Sequence, residues 1–410
     1  MWEGLLDRMI GHMFREGRIE VTTPSGRTIS AGEPGAPPVR VHLRDRARIR
    51  AILASPEMGV AEAYMDGALT IENDDLPGFL ALASSNLEAT SPFWAARPLL
   101  AMQGMLRRVR QVNPAGRSQR NVAHHYDLSG KLYRLFLDTD MQYSCAYFRN
   151  PDDTLEEAQA SKKAHIAQKL LLEPGMRVLD IGCGWGGMAL TLARDHGARV
   201  VGVTLSKEQH AVATRRAAEA GLSDRVEFRL QDYRAVAETY DRIVSVGMFE
   251  HVGVPQYRTY FNHVRRLLVP DGVALIHSIG RLGPPGATGP FIRRYIFPGG
   301  YVPALSEASA AIEREHLATC DLEVWRLHYA MTLRHWHDRF MANIDKVREI
   351  YDERFCRMWR FYLLASEMSF RTGAQAVFQF QLARDQTAVP LTRDYLYASP
   401  RAQRQRHAAE

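Results

Sequence analysis

The chain has 410 residues, a net charge of +6, and 46% apolar against 24% charged residues, an ordinary balance for a globular protein of two or three domains. No uncharged apolar run reaches about 18 residues, so no membrane-spanning helix is expected. The four cysteines (Cys145, Cys183, Cys320 and Cys356) are scattered, with no Cys-x-x-Cys or Cys/His ligand spacing. That pattern indicates neither a metal site nor a disulfide framework, and it suits a reduced, cytoplasmic compartment.

The first stretch, MWEGLLDRMIGHMFREGR, carries acids among its apolar residues and has no small-residue cleavage site. It reads as an amphipathic helix and not as a signal peptide. RIEVTTPSGRTIS joins two β-rich runs through Pro-Ser-Gly, a hairpin signal. PPVRVHLRD and ALTIEN are further strand candidates, and helices are expected over 45–53, 60–66 and 76–82. Residues 1–88 therefore read as a small α+β domain. Residues 89–120 form a basic linker: between Glu88 and Asp127 there is no acid, while Arg97, Arg107, Arg108, Arg110, Arg117 and Arg120 all fall there. FWAARPLLAMQGMLRRVRQV suits a basic amphipathic helix at an anionic bilayer surface, with a solvated linker as the competing reading. NPAGRSQR then breaks the helix.

Over 121–400 strands and helices alternate, which implies a doubly wound, mostly parallel sheet. The strand MRVLDIG runs into VLDIGCGWGG, where Gly182, Gly184 and Gly186 let backbone approach a ligand at a helix start. Gly187 keeps the spacing of a dinucleotide loop available. However, Asp180 stands where such loops carry an apolar residue, and the second strand ends in Thr204-Leu205 in place of a ribose-binding acid. Asp180 before a glycine loop is the look of an S-adenosylmethionine site. Asp232 and Tyr233, after the third strand, then fit the adenine side.

Several long segments together resemble the cyclopropane-fatty-acyl-phospholipid synthase family, related to the mycolic acid cyclopropane synthases. They are NVAHHYDLSGKLYRLFLD, MQYSCAYF, VLDIGCGWGG, GVTLSKEQ, MFEHVG, HSIG, FIRRYIFPGGYVP and HYAMTLRHW, spread over 119–384. The resemblance implies a Rossmann-like methyltransferase domain behind a lipid-binding-like N-terminal domain. It also implies delivery of the S-adenosylmethionine methyl to a cis double bond of a membrane phospholipid. On this resemblance Tyr143 and Ser144 border the cosubstrate, Gly182, Gly184 and the adjoining loop hold its methionine part, Thr204, Leu205 and Gln209 meet the ribose, and Asp232 and Tyr233 flank adenine. A bicarbonate ion is expected as base. Cys145 and Ile279 would give it backbone N–H groups, His277 and Tyr329 side-chain donors, and Glu250 would orient it or take its proton.

The chemistry makes the same demands. An alkene attacking a sulfonium methyl leaves a carbocation, which needs a dry, electron-rich pocket and a nearby base. Taken alone, Cys145 among aromatics is equally a core residue. His277 is harder to read as filler, because it stands at the carboxyl end of a central strand, where open α/β sheets bind ligands. One departure is Ser366, in LLASEMSFR, where the family often has a cysteine; Cys356 is out of register. Arg293, Arg294 and Glu307, around YIFPGGYVP, read as an acyl-chain entrance. The expected partners are membrane phospholipid and an anionic bilayer at the inner membrane face, with no nucleic acid and with a homodimer left open. The rivals are methylation without ring closure, a non-catalytic lipid carrier, and a small-molecule O- or N-methyltransferase.

Overall fold

The computed structural model describes residues 1–89 and 130–397. The expected basic helix, the NPAGRSQR linker and the end of the chain lie outside the described residues. The described residues gather into two compact units. The first takes 1–89, Gly286–Pro298 and Tyr329–Gln375; the second takes 130–285, Gly299–His328 and 376–397. The boundaries read from sequence at 88 and 120 cut the chain into consecutive blocks, whereas these units interleave along it.

In the first unit, helix α1 (Trp2–Met13) precedes strands β1 (Arg18–Thr22) and β2 (Thr28–Gly32), an antiparallel hairpin. Its turn closes where the Thr23 N–H donates to the Arg27 carbonyl at 2.9 Å and Gly26 takes a φ of 86°. Strand β3 (Pro38–Leu43) pairs parallel with β1. Helix α2 (Arg46–Ala54) is capped by the Asp45 carboxylate, which accepts from the Ala47 N–H at 2.8 Å. Helix α3 (Pro56–Met65) begins four residues before the sequence expectation, because proline is at home in a helix's first turn. Strand β4 (Leu69–Ile71) completes the order β2-β1-β3-β4, and α4 (Leu76–Ala89) follows.

The later elements are α5 (Gly130–Phe136), α6 (Leu155–Lys169), β5 (Arg177–Ile181), α7 (Gly187–His196), β6 (Arg199–Thr204), α8 (Lys207–Glu219) and β7 (Val226–Leu230). After them come β8 (Tyr240–Val246), α9 (Tyr257–Leu267), β9 (Leu268–Arg281), α10 (Leu305–Arg314) and β10 (Ala318–Trp325). Helices α11 (His328–Ala342), α12 (Ile344–Ile350) and α13 (Glu353–Arg371) belong to the first unit apart from His328, and β11 (Gln375–Ala383) belongs to the second apart from Gln375. The sequence places the end of α9 at Pro270. The helix stops at Leu267 instead, and Pro270 lies inside β9, near the register shift where Leu268 pairs with Tyr240.

The second unit is built on one seven-stranded sheet, ordered β10-β11-β9-β8-β5-β6-β7. The pairs β6–β7, β5–β6, β5–β8 and β8–β9 are parallel, and β10–β11 is antiparallel. Alternation along the strands feeds two apolar layers. Val178 joins a cluster with α7 and α8, while Leu179 and Ile181 join one with α9 and α10. From β5 the chain runs outward through β6 and β7, then crosses back to β8 on the other side. That reversal opens a crevice at the carboxyl end of β5.

Candidate active site

The crevice is a cavity of about 170 Å³. It is lined where β5, β6, β7 and β8 end, by Asp180 to Trp185, Thr204 and Leu205, Gln231 to Arg234, and Val246 to Met248. Tyr143, Ser144 and Gln209 line it too, so every residue expected at the cosubstrate except Gly186 meets in one place. Gly186 serves the turn: its φ is 85°, and a Cβ there would lie 2.7 Å from the Phe228 ring and 2.9 Å from the Ala213 side chain. Gly182 (φ 80°) is barred from a side chain by Met248 at 2.9 Å, whereas Gly184 faces open space. The loop is held because the Gly182 and Cys183 N–H groups both donate to the Val203 carbonyl, at 3.0 and 3.1 Å.

Asp180 is 2% exposed, and its Oδ2 is buried without a hydrogen-bond partner among the described residues. Burial pushes its carboxyl up to about 7, against the pull of the Lys162 ammonium. An orphaned carboxylate oxygen in a cavity wall awaits a donor or a cation. On the β6 side, the Thr204 hydroxyl donates to Gln209 Oε1 at 3.0 Å. Asp232 is held by Arg234, with Nε 2.9 Å and the terminal nitrogen 2.6 Å from its two carboxylate oxygens. Burial raises the Asp232 carboxyl, but these bonds outweigh it and leave the group below its usual range.

Beside the cavity, the turn Phe249–His251 places Glu250 with a buried side chain. Its Oε1 accepts from the Ile279 N–H at 2.7 Å, and its Oε2 is buried without a hydrogen-bond partner among the described residues. Burial raises this carboxyl to about 7. The Ile279 N–H, expected to serve an anion, is thus spent on Glu250 in this structure. His277, on β9, is 2% exposed and stands edge-on to Trp325 at 5.2 Å. Its Nδ1 lies 3.0 Å from the Gln379 amide nitrogen. Cys145 is fully buried, and its thiol donates to the Ala146 carbonyl at 3.3 Å. Tyr329 belongs to the first unit, where its ring packs on Phe370 and Trp336. Glu307 caps α10 by accepting from the Ala304 N–H at 3.1 Å, and Arg294 pairs with Glu62 at 3.2 Å; both have structural partners where sequence suggested an acyl entrance.

The segment carrying Gln142 to Ser144 is clasped from α6. Lys162, fully buried, donates to Gln142 Oε1 at 2.7 Å and to Ser144 Oγ at 2.8 Å, and Gln159 donates to the Ser144 carbonyl at 2.9 Å. Burial lowers the Lys162 ammonium to about 8, against the pull of Asp138. Further along α6, Lys169 and His165 meet Glu323 at 2.6 and 2.7 Å. Sequence reasoning missed Lys162, Gln159, Arg234, Met248 and Gln379. For Gln379 a signal exists in AVFQFQLA, where two glutamines alternate with aromatics in an uncharged run.

Residues 114–380 match the family model for mycolic acid cyclopropane synthetase. A probable fatty acid methyltransferase of Pseudomonas putida is 44% identical over 260 residues, covering 62% of this chain and 66% of that protein. The cyclopropane-fatty-acyl-phospholipid synthase of Escherichia coli K12 is 38% identical over 350 residues, 85% of this chain and 89% of that one. Among solved structures, the mycolic acid cyclopropane synthase CmaA1, complexed with SAH and CTAB, superposes with a TM-score of 0.62 at 34% identity, covering 66% of this chain and 99% of CmaA1. The glycine loop at the β5 crevice and these likenesses agree: the chain belongs to the mycolic acid cyclopropane synthetase family of S-adenosylmethionine-dependent methyltransferases.

Proposed function

We propose that the protein transfers the methyl group of S-adenosylmethionine to a cis double bond in a phospholipid acyl chain and closes a cyclopropane ring there. The observation that carries this reading is the buried Glu250, with one oxygen on the Ile279 N–H and the other without a partner among the described residues, next to a loop built for S-adenosylmethionine. Methyl transfer to oxygen or nitrogen also releases a proton but forms no carbocation, so it does not require a base held inside a water-free pocket.

The alkene π pair forms a C–C bond to the methyl as the C–S bond breaks, and S-adenosylhomocysteine departs. The carbocation left on the chain loses a proton from the new methyl, and the freed pair closes the ring. Tyr143 and Trp185, in the cavity wall, supply aromatic faces for the cation. The apolar surroundings exclude water, which would otherwise capture it. Glu250, raised to about 7, is poised to hold or release a proton at its free Oε2. A bicarbonate ion, when bound, supplies the immediate proton acceptor. Glu250 Oε2 and the imidazole of His277 fit such an ion, with the Cys145 N–H as a further donor on the family's pattern. Work at the inner membrane face on an anionic bilayer is part of the same proposal; among the described residues no helix is long and apolar enough to cross a membrane.

A second reading is favoured by the Pseudomonas putida relative, named a probable fatty acid methyltransferase. Loss of a neighbouring chain proton would leave a methyl-branched alkene, and a hydride shift followed by loss of a methyl proton would leave a methylene chain. Mass spectrometry separates these readings. The protein is incubated with S-adenosylmethionine and vesicles of unsaturated phospholipid, and a gain of one CH₂ is expected. A product that survives mild alkene hydrogenation carries a ring, and one that takes up hydrogen supports the second reading. No gain while S-adenosylmethionine is bound would overturn both.

A further inference from the structure

We propose that Gln379 is a positioning residue that locks the tautomer of His277: its side-chain amide donates into Nδ1 and keeps the imidazole proton on Nε2. This rests on the reading above that His277 borders the reacting centre.

The placement follows from strand alternation. On β11, Phe378 and Phe380 enter the apolar layer shared with α9 and α10, so Gln379 projects to the opposite face. There it is 0% exposed, and its register partner on β10 is Glu323. Strand β11 lies beside β9 in the sheet, which sets the Gln379 amide nitrogen 3.0 Å from His277 Nδ1. An amide –NH₂ has donors and no lone pair to offer, so Nδ1 is the acceptor in this contact.

A neutral imidazole has one proton, and with Nδ1 accepting, that proton is on Nε2. His277 is kept neutral first by burial and then by the Lys162 and Lys169 ammonium groups, which together outweigh Glu323. The reversed amide would put Oε1 against an Nδ1–H. It would then strand both N–H donors, whereas the present arrangement leaves one N–H and the carbonyl oxygen, Gln379 Oε1, without a partner among the described residues. Buried orphan donors are the rarer defect. The functional consequence is a division of labour. His277 presents an N–H for holding an anionic or developing negative oxygen, and proton acceptance falls to other groups.

The test is nitrogen-15 NMR on the full chain with labelled histidine, the His277 signals being assigned by their loss in His277→Gln. The expected result is an unprotonated Nδ1 and a protonated Nε2, unchanged between about pH 5 and pH 8. An Nδ1–H tautomer, or a ring that titrates in that range, would overturn the proposal. Gln379→Glu offers an acceptor instead of a donor. It should move the proton to Nδ1 and lower kcat by about tenfold or more, with S-adenosylhomocysteine affinity unchanged, as expected when an imidazole presents the wrong nitrogen. Full kcat with the proton still on Nε2 would also overturn it. Should Gln379→Glu fail to fold, the wild-type spectrum alone decides. An Nε2–H spectrum in a protein that leaves lipids unmodified would sink the proposed function and leave the lock standing.

Discussion

Asp180 and Glu250 each place an acid in a wall that disfavours its charge, and both are raised to about 7. A ligand bearing an ammonium group prefers Asp180 ionised. Affinity for S-adenosylhomocysteine should therefore rise by up to about tenfold per pH unit as pH climbs towards 7, then level off. Asp180→Asn should bind more weakly and without that slope; a flat wild-type profile by calorimetry would refute the coupling. For Glu250 the folded state favours the protonated acid. Its stabilising contribution is full below its ordinary value of 4.5 and is lost as pH rises through about 7. Glu250→Gln, which cannot ionise, should gain on wild type by on the order of 2–3 kcal/mol between about pH 5 and pH 8 in thermal melts. It should also lose turnover by about 10²-fold or more while binding S-adenosylhomocysteine normally. Asp180, Glu250 and His277 were legible in the sequence because each sits in a short motif at the carboxyl end of a strand. Arg234 and Gln379 were not. Arg234 is a local partner, two residues from Asp232, that falls outside those motifs; the role of Gln379 depends on which strands become neighbours, and no local spacing records that.

Helix α6 inverts the usual pattern of a surface helix. Gln159, Lys162, His165 and Lys169 are all buried, and they face partners that need donors: the Ser144 carbonyl and hydroxyl, Gln142 and Glu323. A capping box fixes its start, with Thr154 and Glu157 each bonded to the other's backbone. The polar stripe leaves this helix without a distinct signature in the sequence. Amides and ammonium groups interrupt the apolar residues Leu155, Ala158, Ile166 and Ala167 on its buried face, so no apolar period stands out. Strands β5, β6 and β8, continuous in Val, Leu and Ile, declare themselves instead. If α6 works by clasping the cavity wall, Lys162→Met and Ser144→Ala should each weaken S-adenosylhomocysteine binding by roughly tenfold, and the double variant should be no weaker than the worse single one. Additive losses in that cycle would mean the two residues act separately.

For the molecule as a whole, charge and strand order have separate consequences. The acid-free window from Ala89 to Tyr126 concentrates positive charge that an anionic bilayer would attract. Replacing Arg107, Arg108 and Arg110 together by Gln should weaken binding to anionic vesicles several-fold at low salt. The difference should fade near physiological ionic strength and above, where screening acts within about 8 Å. Equal binding by both proteins in a flotation assay would return that window to a plain linker. Strand order imposes a timetable. Among the described residues β11 is the last strand to be synthesised, yet it lies between β9 and β10. While the chain grows, β10 has no neighbour waiting for it, and the sheet stays open at His277 until residues 375–383 arrive and insert. A chain stalled short of β11 would carry the complete glycine loop and Glu250 but lack the amide that holds His277. On the proposed reading, the His277–Gln379 contact would therefore be installed last, by the same insertion that closes the sheet.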